Sequence, residues 1–114
     1  MSDCLFCKIA RKEIPSEIVY QDDLITIFKD INPAAPVHLL VIPNEHFPSV
    51  NAVKEGDELL LGKLFTGAKR AAAMAGIAGS GYRLIVNNGP DANQEVPHLH
   101  MHVLGGGKMR HPIG

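Results

Sequence analysis

The sequence predicts an α+β domain: about five strands in a mainly antiparallel sheet, one long helix and a short N-terminal helix. Three observations predict it. Short apolar runs are separated by hairpin-length turns, a single stretch from about Lys54 to Ala75 carries helical periodicity, and His98 to Leu104 alternates strictly. At 114 residues the chain is one domain over its whole length, 1–114, with enough apolar residues (46%) for a modest core.

Each element has its own signal. Leu5, Phe6 and Ile9 suit a short helix or turn, which Pro15 ends at the latest. Ile18-Val19-Tyr20 reads as a short strand, and Asp22-Asp23 as a turn. Leu24 to Phe28 is β-branched and aromatic, hence a strand. Pro33 and Pro36 stiffen the loop from Asp30. His38-Leu39-Leu40-Val41-Ile42 is nearly continuous in apolar residues and closed by Pro43, as a central strand would be. In the helical stretch Leu60, Leu64, Ala68, Ala71, Ala72 and Ala75 share one face, and Gly76 is placed to cap it. Gly62 and Gly67 cost helix stability, which close packing, including packing across a subunit contact, would offset. Tyr82 to Val86 is a strand, Asn87 to Asn93 a loop, and Pro97 to Leu104 the last strand, stopped by three glycines.

Composition excludes several function classes. Eleven Lys and Arg against twelve Asp and Glu leave a net charge of −1, so no basic excess serves nucleic acid or anionic lipid. No apolar run suits a membrane span, and Met1 to Lys8 shows no leader-like apolar region. Two cysteines do not make a disulfide framework, and the expected compartment is the reducing cytoplasm.

Histidine is the unusual residue. Three of six fall within His98-Leu99-His100-Met101-His102. On a strand these imidazoles share one face, about 7 Å apart in succession, while Leu99, Met101 and Val103 enter the core. Neighbouring imidazoles depress one another's pKa, and neutral imidazole is what a metal ligand or a nucleophile requires. Zinc chelation and nucleophilic catalysis both follow from the pattern. A lone His46 or His111 reads more simply as a structural histidine.

The triplet, followed by Val103-Leu104, resembles the signature of the histidine triad family. The resemblance extends through Phe6-Cys7-Lys8-Ile9, Arg11 to Pro15, Asp30-Ile31-Asn32-Pro33, Pro36-Val37-His38, Val41-Ile42-Pro43, Tyr82-Arg83, Asn87 and Gln94-Glu95-Val96. These segments are similar to the Hint branch, the nucleotide-binding histidine triad proteins. The resemblance implies a homodimer that binds purine nucleotides and hydrolyses nucleoside phosphoramidates, such as AMP joined to an amine, in two displacements. A nucleotide-binding scaffold with incidental turnover is the alternative, and a hydrolase with metal on the triad a further one. His100 would be the nucleophile, oriented by the backbone carbonyl of His98, with His102 and His38 hydrogen-bonding the phosphate or leaving group. Asn87 and the loop Asn93-Gln94-Glu95-Val96 would supply phosphate donors, and Asp30 would accept from the ribose hydroxyls. Phe6, Ile9, Phe28, Ile31 and Leu40 would wall the base; by composition alone they are ordinary core.

Against the family pattern, Glu95 stands where animal members have serine, Asn93 replaces a glycine, and the tail from Gly107 to His111 lacks the common arginine and aromatic. The resemblance requires no cofactor for catalysis. It implies a structural zinc on Cys4, Cys7, His46 and His98, found in some relatives. The Cys-x-x-Cys spacing suits one metal ion, but two free thiols or a redox pair fit it as well.

Overall fold

The computed structural model describes residues 4–113; the reading of the first three residues as leader-free lies outside them. Strands β1 (Ile18–Gln21), β2 (Ile25–Lys29), β3 (Val37–Pro43), β4 (Tyr82–Ile85) and β5 (Met101–Gly105) form one sheet in the order β1-β2-β3-β5-β4. Every neighbouring pair is antiparallel. Helix α1 spans Leu5–Ala10 and helix α2 spans Glu58–Met74.

The two helices cover opposite faces. Ile25 and Ile27 of β2, Leu39 and Val41 of β3, and Met101 and Val103 of β5 form one core with Leu64, Ala68, Ala71 and Ala72 of α2. The alternate residues Phe28, Leu40 and Ile42 pack with Phe6 and Ile9 of α1. Burial on both faces explains why β3 reads as a continuous apolar run.

Helix α2 begins four residues later than its periodicity suggests. The carboxylate of Asp57 accepts the Lys54 backbone N–H at 3.0 Å, and Glu55–Asp57 form a single 3-10 turn before the helix proper. Its end closes on Gly76 at φ +76°: Gly76 N–H donates to Ala73 O and Ile77 N–H to Ala72 O, both freed carbonyls of the last turn. Gly67 does provide close packing, but within the chain. A Cβ there would lie 2.6 Å from Ile25 Cδ1 and 3.3 Å from Val41 Cγ1, and Ala68, Ala71 and Ala72 face the same sheet. This small-residue face is therefore used up in the chain's own core and is not a subunit surface. At Gly62 a Cβ would meet open space.

The last strand is shorter than expected, beginning at Met101 and not at Pro97. The register pairs Val41 with Met101, so an extended ladder would next use the carbonyl of Pro43. That carbonyl is taken by the His98 ring, and the His98 N–H turns back to Val96 O at 2.8 Å. Strand β4 likewise stops one residue short, at Ile85. Among the described residues no helix is long and apolar enough to cross a membrane.

Candidate active site

The alternation that starts at His98 survives the early end of the ladder. Leu99, Met101 and Val103 join the α2-side core. The three imidazoles lie on the α1 side, where Phe6 meets His98 and His100 edge-on at 5.9 and 5.1 Å and the His100 and His102 rings are 5.0 Å apart. His38 reaches the same face from β3, because Leu40 is the register partner of His102 and His38 lies two residues away.

Hydrogen bonds determine where each ring carries its proton. His100 Nδ1 lies 2.7 Å from His98 O. A carbonyl can only accept, so Nδ1 carries the hydrogen and Nε2 keeps a lone pair. The Ala34 N–H donates to His38 Nδ1 at 2.9 Å, so in the neutral ring Nε2 is protonated and donates to His102 Nδ1, also at 2.9 Å. His102 is thereby left with its N–H on Nε2. Asp30 Oδ2 sits 3.3 Å from His38 Nε2, and its Oδ1 caps the Asn32 N–H. Asp30, His38 and His102 form a compact group of ligand atoms, but the two facing nitrogens of the histidine pair are engaged with each other.

Burial pushes the His102 pKa down to about 4, reinforced by the charges of His100 and His38. Burial also lowers His38, opposed by Asp30. Both rings are therefore neutral near pH 7. Below about pH 6.5 the unfolded chain takes up a proton on His102 that the folded chain refuses until about pH 4. Stability from this residue is full above pH 6.5 and declines toward pH 4, by on the order of 2–3 kcal/mol. Urea titrations at pH 7 and 4.5 should show a smaller acid loss for His102→Gln than for wild type; equal losses would contradict the assignment.

A cleft of about 590 Å³ opens beside these rings. Phe6, Ile9, Phe28, Leu40 and Val96 make its apolar wall, and Asp30, Ile31, Glu95, His100 and His102 complete the part anticipated from sequence. Ile31 forms the lip and is 90% exposed. Leu5, Asn32 and the segment Ile14-Pro15-Ser16 also line the cleft, without having been singled out. Ile14-Pro15 and Asn32 lie within segments that carry the family resemblance, while nothing in the sequence marks Leu5 or Ser16 as cleft residues.

Three anticipated donors stand elsewhere. Asn87 Nδ2 donates to Ala92 O at 2.8 Å; Gln94 accepts from Gly89 N–H and donates to Pro48 O and Val96 O. Both brace the loop, and neither lines the cleft. Asn93 closes that loop in the left-handed region at φ 61°, a conformation asparagine tolerates.

Next to the cleft, Cys4, Cys7, His46 and His98 converge, with donor atoms within 4.8 Å of one another. Cys4 Sγ and His46 Nδ1 each lie 3.2 Å from His98 Nδ1, while Cys7 Sγ is 3.4 Å from His46 Nδ1 and 3.6 Å from His98 Nδ1. His98 Nε2–H donates to Pro43 O at 2.9 Å, which leaves Nδ1 unprotonated toward the thiols.

The HIT domain family model matches residues 11–109. The chain belongs to the HIT family. This HIT protein is 54% identical over 104 residues to the purine nucleoside phosphoramidase of Escherichia coli K12, which covers 91% of the chain and 87% of that relative. It is 50% identical to an uncharacterized HIT-like protein of Synechocystis sp. over 98% of the chain and 97% of the relative. The crystal structure of a HIT family hydrolase from Legionella pneumophila superposes with TM-score 0.94 at 46% identity, covering 98% of this HIT protein and 100% of the other chain.

Proposed function

We propose that the protein hydrolyses purine nucleoside 5′-phosphoramidates through a nucleotidyl-His100 intermediate. The observation that carries this is the fixed tautomer of His100: Nδ1–H is held by the His98 carbonyl, and Nε2 keeps its lone pair on a ring that lines the cleft. Nε2 attacks phosphorus and the P–N bond breaks. The amine leaves as its nitrogen takes up a proton from solvent, held meanwhile by the His102 Nε2–H hydrogen bond. Water then attacks the same phosphorus and returns a proton to solvent, the P–Nε2 bond breaks, and AMP departs. The apolar wall suits a stacked purine, with Asp30 placed to meet the ribose and the backbone of Glu95-Val96 to meet the phosphate. The resemblance to the Escherichia coli phosphoramidase supports the choice of substrate. A fluorogenic AMP-amine substrate tests it: amine and AMP should appear in equal amounts. Tight AMP binding without turnover would instead make the chain a nucleotide-binding module.

The cysteine-histidine group fits zinc. Tetrahedral coordination by two thiolates and two imidazoles requires ligand–ligand separations of about 3.3–3.8 Å; Cys4–His98, Cys7–His46, Cys7–His98 and His46–His98 lie at 3.2 to 3.6 Å, and all four donor atoms fall within 4.8 Å of one another. Zinc would serve there as a structural ion, in a reducing cytoplasm that keeps both cysteines from oxidising, and its binding would draw the protons off both thiols. Protein purified without chelator should carry close to one zinc per chain by elemental analysis. Less than about a tenth, with normal fold and activity, would refute the site.

We also propose a homodimer built on the outer face of α2 and on edge strand β4. Leu59 and Phe65 stand exposed on α2 (84% and 59%), and β4 offers an unpaired edge. Light scattering should report near twice 12.3 kDa at micromolar concentration; the monomer mass would contradict this.

A further inference from the structure

We infer that the Cys4–Cys7–His46–His98 group is a positioning device for the nucleophile, transmitting its own geometry to His100 through the backbone of His98. This rests on the readings above, that the group binds zinc and that His100 attacks phosphorus.

His98 belongs to both sites. Its ring is fully buried and held at both nitrogens, Nε2 by Pro43 O and Nδ1 among the ligand atoms. Its N–H is fixed on Val96 O, and its carbonyl takes the His100 Nδ1–H at 2.7 Å. With ring and N–H tied down, the carbonyl has little freedom to move, so the orientation of the His100 ring follows from that of His98. A second path is parallel. Phe6 sits between Cys4 and Cys7, and its ring meets both His98 and His100 edge-on. Cys4 also caps α1, accepting the Cys7 N–H at 3.4 Å. Neither cysteine lines the cleft. An effect of the cysteines on the chemical step must therefore pass through His98 and Phe6.

Substitution at the cysteines should thus slow phosphorus transfer while leaving nucleotide affinity nearly unchanged. The double variant Cys4→Ser/Cys7→Ser retains a capping oxygen at position 4 but leaves two imidazoles, too few to hold zinc. Cys4→Asp retains both a cap and a metal ligand. We expect the double variant to lose zinc and to form the nucleotidyl-His100 adduct at least about tenfold more slowly in single turnover, with AMP affinity by calorimetry within threefold. Cys4→Asp should hold zinc and recover the rate to within about threefold. A measurement on the wild-type chain stands even if the double variant does not fold: withdrawing zinc with a chelator should slow formation of the adduct by at least about tenfold with AMP affinity by calorimetry within threefold, and added zinc should restore the rate. An unchanged single-turnover rate in the zinc-free wild-type chain would overturn the inference, as would a folded, zinc-free double variant with a wild-type single-turnover rate. Wild-type protein lacking zinc would remove the metal reading itself, and absence of the adduct in wild type would remove the nucleophile; the remaining outcomes concern the coupling alone.

Discussion

Replacing His100 by alanine is expected to lower kcat by at least about a thousandfold, roughly 4 kcal/mol of barrier. The ring supplies the only protein atom in the proposed reaction that bonds to phosphorus, and neither neighbouring imidazole can take over. His102 Nδ1 is occupied by His38, and its Nε2 bears the hydrogen. His38 is held at both nitrogens. Most of the apolar wall that would take the purine, Ile9, Phe28 and Leu40, packs in its own cluster, with only Phe6 touching the His100 ring. AMP affinity should therefore change by less than about tenfold, so that the loss falls on the chemical step. His102→Ala should be impaired yet measurable, because it assists without bonding to phosphorus. If the triad were instead a set of metal ligands, substitution of His98, His100 or His102 would be about equally damaging. Steady-state kinetics with calorimetry on the same variants separates the two patterns.

Gly67→Val is expected to cost about 2–3 kcal/mol of stability, with a fall in Tm of about 10 °C or more. The helix crosses the sheet where Ile25 and Val41 fill the space a Cβ would need, and both are completely buried. An interior at crystal-like density has no room into which they can retreat. Gly62 on the same helix is the control. A Cβ there meets nothing, and Gly62→Ala should stabilise by about 0.5–1 kcal/mol through helix propensity. Thermal denaturation of both variants checks the contrast; equal effects would show that Gly67 does not mark a close approach.

The order of elements and the face of the histidines were legible in the sequence because both depend on periodicity. Strict alternation places His98, His100 and His102 opposite Leu99, Met101 and Val103 even where the ladder stops. The double-sided burial of β3 was legible for the same reason. What periodicity does not encode is competition for one hydrogen-bond partner. The Pro43 carbonyl could have extended β5, and only the fold reveals that the His98 ring takes it. The hydrogen bonds of Asn87 and Gln94 were hidden likewise, since an amide that braces a loop and one that is free toward a phosphate look identical in sequence. Gly67 was correctly suspected of close packing, but helix periodicity does not say whether the neighbour is the chain's own sheet or a second copy.

The central claim is that His100 Nε2 forms a bond to phosphorus during turnover. Quenching the wild-type reaction with an AMP-amine substrate in its first turnovers, followed by peptide mass spectrometry, tests it most directly. An AMP adduct on the peptide containing His100 is expected to form before AMP is released and to be absent from His100→Ala. Full turnover by His100→Ala, or an adduct carried on another residue, would contradict it.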